Sequence, residues 1–178
     1  MKTHAAITWV ASAALLAFGT IAAAQNGSYD QTQQKGDASF AQDAASGGMA
    51  EVKLGQLAQQ KGSSQSVKDF GARMVKDHSA ANTKLKAVAS KDGMTLPGGI
   101  NHEDQATYSK LSKLSGTQFD KEYAQDMVQD HQKDVAAFQK EANSGTNPDL
   151  KDFASQTLPT LQDHLNMAQQ MQQSVGGQ

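Results

Sequence analysis

The chain of 178 residues contains no cysteine, only three prolines and one tryptophan. Without cysteine, neither a disulfide nor a cysteine-linked lipid anchor can form, so the packing of side chains must supply the stability of the fold. Proline interrupts helices, and its scarcity together with the few clusters of β-branched residues favours long helical segments. These absences indicate an all-α protein.

An excess of one charge is also lacking, with 16 basic and 18 acidic residues and a formal net charge of −2. No basic face indicates binding to nucleic acid. Beyond residue 24, no apolar run has the length of a transmembrane segment. No pattern of a nucleophile, a catalytic triad or a phosphate-binding loop is present, so we predict neither catalytic nor cofactor-binding residues. The sequence does not identify a partner in the cell envelope.

Residues 1–24 are interpreted as a cleaved signal peptide, with a weakly positive start, an apolar stretch and small residues before the cut. Cleavage near Ala24/Gln25 predicts a periplasmic or secreted chain of about 154 residues, the size of one domain. Residues 25–38 are polar and rich in glycine and glutamine, which predicts a flexible leader. The last residues, 174–178, are predicted to fray.

Between these ends, residues 39–173 have apolar side chains at intervals of three and four, the pattern of amphipathic helices. Short polar turns separate the segments, and one longer crossover connects the second to the third. The pattern predicts an antiparallel four-helix bundle with a short extra helix in the helix 2–3 crossover. Thr117 and Asp120 resemble a capping box, and Asn147 before Pro148 predicts another helix start. The four long helices are predicted at 39–61, 65–91, 117–142 and 148–173, and the short one at 102–114.

Three similar peptides contain histidine: "MVKDH" at 74–78, "MVQDH" at 127–131 and "LQDH" at 161–164. His78, His131 and His164 each fall on the apolar face of a different helix, and Glu51 falls on that of the first. The distances along the helices allow one layer. Three imidazoles and a carboxylate are a candidate site for a transition metal, copper, zinc or iron. His102 lies in the crossover and is expected to be exposed.

The neighbours of these histidines have two interpretations. Methionine lies within one turn of each histidine and would suit copper, but methionine is also an ordinary filler of helical cores. Aspartate precedes each histidine and either orients a ring on another helix or is solvated. The sets are Met74, Met127 and Met167, and Asp77, Asp130 and Asp163.

Two other functions remain open beside metal binding. The histidines could form a buried hydrogen-bond network that fixes the register of a structural or stress-related envelope protein. Alternatively, a mononuclear metalloenzyme could use the same layer, which requires an open coordination position and access for a substrate.

Four stretches resemble the bacterial family called domain of unknown function 4142: "AEVKLGQLA" at 50–58, "VKDFGARMVKDH" at 67–78, "SGTQFDKEYAQDMVQDH" at 115–131 and "LPTLQDHL" at 158–165. The resemblance implies a secreted, ferritin-like four-helix bundle and no defined reaction. Members are often described as outer-membrane proteins, but we find no anchor that supports this. Di-iron sites of ferritin-like proteins need Glu-x-x-His, and here Val75, Val128 and Leu161 stand three residues before the histidines. Di-iron chemistry is therefore not expected.

Overall fold

The computed structural model describes the backbone of residues 21–177 and the side chains of residue 34 and residues 36–177. Within this range the chain forms five helices and no strand. The predicted all-α fold, with four long helices and a short one in the second crossover, is therefore confirmed. The expected signal peptide lies almost entirely outside the described residues. The helices are α1 (Ile21–Lys61), α2 (Gln65–Lys91), α3 (His102–Leu111), α4 (Gly116–Ser144) and α5 (Pro148–Gly176).

Helix α1 begins earlier than the apolar pattern predicts. It is helical from Ile21, so it includes residues 25–38, which the sequence analysis assigned to a leader. Glutamine, which has a high helix propensity, is the most frequent residue in this segment. Near its end, the buried carboxylate of Asp37 accepts hydrogen bonds from the backbone N–H groups of Thr146 and Asn147. Apolar periodicity does not reveal this contact because it is polar.

The bundle consists of two helical hairpins. Helix α1 packs along α2, and α4 packs along α5; the hairpins meet through α1 with α4 and α2 with α5, while α3 lies against α1 and α4. Gly55 and Gly71 allow the closest approach of α1 and α2. A Cβ atom at either glycine would come within 2.5–2.6 Å of the carbonyl oxygen of the other, closer than van der Waals contact. Small residues therefore set the spacing of this pair, as the sequence predicts.

The core is divided into two apolar clusters with polar side chains between them. On each long helix, one buried residue with a titratable side chain separates the two clusters. No helix in the described part of the chain has an apolar stretch long enough to cross a membrane. The separating residues are Glu51 on α1, His78 on α2, His131 on α4 and His164 on α5.

The turn between α1 and α2 is held by Asp120 from α4. Its carboxylate accepts hydrogen bonds from Ser63 N (3.0 Å), Ser63 Oγ (2.5 Å) and Ser64 N (2.8 Å). The predicted capping box of Thr117 and Asp120 is therefore wrong: the N-cap of α4 is Ser115, which makes no side-chain cap. The buried carboxylate of Asp120 thus accepts three hydrogen bonds from this turn, more than a capping box in its own helix would give it.

The start of α5 agrees with the prediction from sequence. Asn147 is the N-cap, and its Oδ1 accepts a hydrogen bond from Leu150 N at 2.9 Å. Pro148 follows as the first helical residue, where its missing N–H has no consequence for the helix. The carboxylate of Asp37 on α1 accepts hydrogen bonds from the backbone of this turn, as that of Asp120 does from the turn between α1 and α2.

We predict that Asp120→Ala lowers the free energy of unfolding by about 1–3 kcal/mol, because it leaves the N–H groups of Ser63 and Ser64 without an acceptor. Urea unfolding followed by circular dichroism measures the change. Asp69→Ala on α2 is the matched control, since this exposed carboxylate accepts only from Gln65 in its own helix. Equal losses in the two variants would show that the bonds to the turn contribute nothing.

Candidate metal centre

Three helices bring their histidines to one place. His78, His131 and His164 are 6%, 0% and 1% exposed. Each ring offers one nitrogen, and these three nitrogens lie within 4.8 Å of one another. The ring centroids are 5.4–5.8 Å apart. The periodicity of the sequence thus predicts correctly that the three histidines face the core, and they lie in the single layer that the distances along the helices allow.

Two of the three rings have one edge fixed by a hydrogen bond. His131 Nδ1 lies 2.9 Å from the carbonyl oxygen of Met127. His164 Nε2 lies 3.0 Å from Oδ2 of Asp77. Both partners only accept, so these nitrogens donate and the protons are assigned to them. The opposite nitrogen of each ring then carries a free lone pair.

The nitrogens left over have no hydrogen-bond partner. They are His78 Nε2, His131 Nε2 and His164 Nδ1, all buried. A buried polar atom without a partner costs roughly 1–3 kcal/mol. Buried polar atoms normally find partners, and here three that lack one belong to rings of the same cluster. Metal-ligating histidines typically have this arrangement, with one nitrogen bonded to a protein acceptor and the other free for the ion.

All three rings are neutral near pH 7. Burial, followed by the proximity of His131 and His164, lowers the pKa of His78 well below 6.5. Burial lowers the pKa of His131 to about 4. Burial also lowers the pKa of His164, although its hydrogen bond to Asp77 acts in the other direction. Neutral imidazole is the form that binds a metal ion, so the cluster needs to lose no protons to accept one.

Asp77 is the aspartate that orients a histidine ring. It joins His164 on α5 to Arg73 on its own helix, with which it forms an ion pair. Burial opposes its ionisation, but hydrogen bonds from Arg73 and His164 outweigh this and lower the pKa of Asp77. The other two aspartates behave differently: Asp163 is exposed, and Asp130 lies near Glu51. One of the three therefore has the orienting position that the sequence allowed.

Glu51 lies behind the cluster rather than among its free nitrogens. Its Oε1 is 3.9 Å from His131 Nδ1, the nitrogen bonded to Met127, and the carboxyl is fully buried. Burial, followed by the neighbouring Asp130, raises the pKa of Glu51 well above 4.5, which favours its protonated form. It does not belong to the group of nitrogens within 4.8 Å.

Further acids surround Glu51. Burial, then repulsion by Asp130, raises the pKa of both Asp134 and Asp104. Sequence reasoning missed these two residues. Asp134 follows His131 by three positions and so shares its side of α4, which is a usable signal. Asp104 lies on the short helix α3, whose position over the bundle cannot be read from periodicity.

The methionines line one side of the layer. Met74 and Met127 are buried in the apolar cluster of Phe70 and Tyr123, and Met167 packs at its edge. Phe70 places its ring 6.0 Å from that of His131 and 6.5 Å from that of His164, in edge contacts. The Tyr123 hydroxyl is buried without a hydrogen-bond partner. On this side, the histidine rings thus pack against apolar side chains. His102, as expected, is exposed.

Three solved structures have the same architecture. A DUF305 fragment from Deinococcus radiodurans has a TM-score of 0.67 at 16% identity, covering 80% of this chain and 97% of that one. A DUF305 protein from Streptomyces coelicolor, described as a "putative secreted protein", has a TM-score of 0.67 at 16% identity, with 79% and 92% coverage. CopM in its Cu(II)-bound form has a TM-score of 0.66 at 15% identity, with 78% and 96% coverage. At these identities the likeness shows a shared fold.

None of the curated proteins compared with the chain matches it. Among family models, one described as a domain of unknown function matches residues 22–171. This range includes all five helices except the first residue of α1 and the end of α5. The resemblance found in the four stretches of the sequence is thereby confirmed, and the protein belongs to the DUF4142 family.

Proposed function

We propose that this protein binds one transition-metal ion through His78, His131 and His164, as a periplasmic or secreted protein whose signal peptide ends near Ala24. The observation that carries the proposal is the cluster of three buried, neutral rings, each with a nitrogen that no protein atom satisfies. An ion at their centre satisfies all three at once. The signal peptide is supported by its sequence pattern and by the DUF305 relative described as secreted.

The dimensions are compatible with an ion. Metal–nitrogen bonds of about 2.0–2.1 Å put the ligand nitrogens about 3.3–3.5 Å apart. The nitrogens here lie within 4.8 Å of one another, so small rotations of the side chains close the site. Residues with a single hydrogen bond or none, as these rings are, can make such rotations without breaking the bundle.

Copper is the ion to test first, with zinc and iron next. Imidazole suits all three. CopM, which has the same fold, binds Cu(II). The thioethers of Met74, Met127 and Met167 lie within one turn of the histidines in the chain and are candidate additional ligands if the ion is Cu(I).

A hydrogen-bond network without metal is the competing function. It accounts for the bonds of His131 to Met127 and of His164 to Asp77. It leaves the opposite nitrogens of the same rings unexplained, because in such a network they would bond to one another or to a further side chain. Metal binding accounts for both edges of the rings and is therefore the better proposal.

The first test is metal content of residues 25–178 after dialysis against Cu(II) or Zn(II), measured by elemental analysis. We expect one ion per chain, lost to background in His78→Ala, His131→Ala and His164→Ala because each removes a ligand. An ion at 100 times its Kd should also raise the free energy of unfolding by about 2.7 kcal/mol. His102→Ala, at an exposed histidine, is the control. Equal metal in control and site variants would sink the proposal.

Glu51→Gln separates a supporting role from a ligand role. Because the carboxyl lies 3.9 Å from the Nδ1 edge of His131, and that nitrogen donates to Met127 instead, we expect the variant to keep one ion per chain. Its affinity should fall by less than the roughly 10–100-fold that follows the loss of a ligand's own hydrogen-bond partner. Isothermal titration with a competing chelator measures the affinity. A variant that loses the ion as completely as His131→Ala would instead make Glu51 a ligand.

The low pKa of His131 should make the free energy of unfolding of the metal-free protein depend on pH. The folded pKa is about 4 against 6.5 for the model imidazole. Above pH 6.5 both states are neutral and the full stability is present; as pH falls below 6.5, the unfolded chain gains a proton that the folded one does not. Relative to His131→Gln, the wild type should therefore lose about 3 kcal/mol between pH 6.5 and 4.

Comparing the two proteins isolates His131 from its neighbours. The pKa values of Glu51 and Asp134 are raised, so these two groups change stability with pH in the direction opposite to His131. They are present in both proteins, as are His78, His164 and Asp130, so their contributions largely cancel in the difference. Urea unfolding at half-unit steps of pH provides the measurement. A difference that stays constant with pH would mean that His131 is not buried as a neutral ring.

A further inference from the structure

A small cavity lies against two of the three histidines. His78 and His164 line it together with residues of α1, α2, α4 and α5. The volume open to the centre of a water molecule is ≈ 30 Å³. One ordered water needs about 10–15 Å³ on this measure. The cavity therefore has room for one or two waters directly beside the histidine cluster.

The cavity has apolar walls and a few polar groups. Ala81, Phe138 and Leu161 are among the apolar residues that line it. Its polar lining, beside the two histidines, consists of Asp77, Asn82, Asp134, Thr157 and Thr160. Most small-ligand sites combine apolar walls with a few placed polar groups in this way. The Thr157 hydroxyl donates to the carbonyl oxygen of Phe153 at 2.7 Å, which leaves its lone pairs free to accept.

Glycine at position 48 leaves space for one of these polar groups. A Cβ atom there would lie 2.2 Å from Oδ1 of Asn82, so any other residue would displace the amide from its place over α1. Asn82 follows His78 by one turn of α2, which puts the amide on the same side of the helix as the ring. The lining beside the histidines is therefore a built feature of the α1–α2 interface.

Glu51 does not fill the coordination shell from the other direction. It lies at the Nδ1 edge of His131, whereas the cavity is lined by His78 and His164. The three histidines supply three nitrogens, whereas zinc takes four ligands and Cu(II) prefers a square-planar or tetragonal set of at least four. Protein sites that leave a position open in this way hold water or a substrate there.

We propose that the ion held by the three histidines keeps one coordination position open towards this cavity, where a water molecule or a small anion binds to it. The inference rests on the proposed function and adds an exchangeable ligand to it. Two carboxyl groups line the cavity, and neither opposes a small anion strongly. Asp77 is held by Arg73 and His164, and burial raises the pKa of Asp134, which favours its neutral form. The ligand class is set by the size of the cavity: one to three heavy atoms.

The test uses azide as the probe on the Cu(II)-loaded chain of residues 25–178. Copper content is measured first, and azide is then titrated while the charge-transfer absorption and the electron paramagnetic resonance spectrum are followed. We expect saturable binding of one azide per copper in the wild type. Ala81→Leu fills the cavity from α2 and should keep its copper while azide affinity falls by about tenfold or more, because the added side chain occupies the space that the anion needs.

Two further variants make the result specific. Ala44→Leu fills the same cavity from α1 and should give the same loss, so the test does not depend on the folding of one variant. Ala80→Leu is the matched control: it adds the same side chain at an exposed position of α2 next to Ala81. Its azide affinity should equal that of the wild type.

The outcomes separate the two proposals. Copper bound at one per chain with no spectral response to azide, or with equal azide affinity in the control and both cavity variants, overturns the open position and leaves the histidine site intact. A wild type that binds no metal overturns the proposed function, and the open position with it.

Discussion

The rest of the structure depends on a layer of neutral imidazoles that crosses the middle of the bundle. Three rings from three helices replace apolar packing at one level and split the core into two clusters. Each helical residue turns the side chain by about 100°, so a shift of one position would move a ring out of the core. The register of α2, α4 and α5 and the geometry of the site are therefore the same constraint.

Burial of so many polar groups is tolerable because the layer carries little net charge. Burial disfavours ions of either sign: it lowers the pKa values of His78 and His131 and raises that of Glu51 beside them, so their neutral forms are favoured. Burying a charge without a partner costs far more than burying a neutral group. The one ionised member, Asp77, lies at the edge, where Arg73 and His164 are bound to it. A bound cation would change this balance, because it would favour the ionised form of nearby acids. Glu51, whose Oε1 lies 3.9 Å from His131 Nδ1, is one of these acids.

Helical periodicity predicts the bundle, the crossover helix and the inward histidines, because apolar faces and stripe positions are local properties of the chain. It does not predict the buried Asp37 and Asp120, whose partners lie 109 and 57 residues away in turns. It also leaves open which edge of His131 faces Glu51. Heights along four helices are known from sequence only to a few residues, and one turn of error is 5.4 Å, more than the distance that separates a ligand from a neighbour.

The fold by itself does not decide between metal binding and a structural role. Four-helix bundles serve many functions, and the likeness to CopM and the DUF305 proteins lies at 15–16% identity. The argument for metal instead comes from atoms of this chain: two rings are held at one edge by acceptors, and one nitrogen of each of the three rings is buried without a partner. A purely structural layer gains from a bond at every polar edge, whereas a metal site requires free lone pairs. The rings have the second arrangement, so their stability as a layer and their capacity to bind an ion are opposed, and a bound ion would satisfy both.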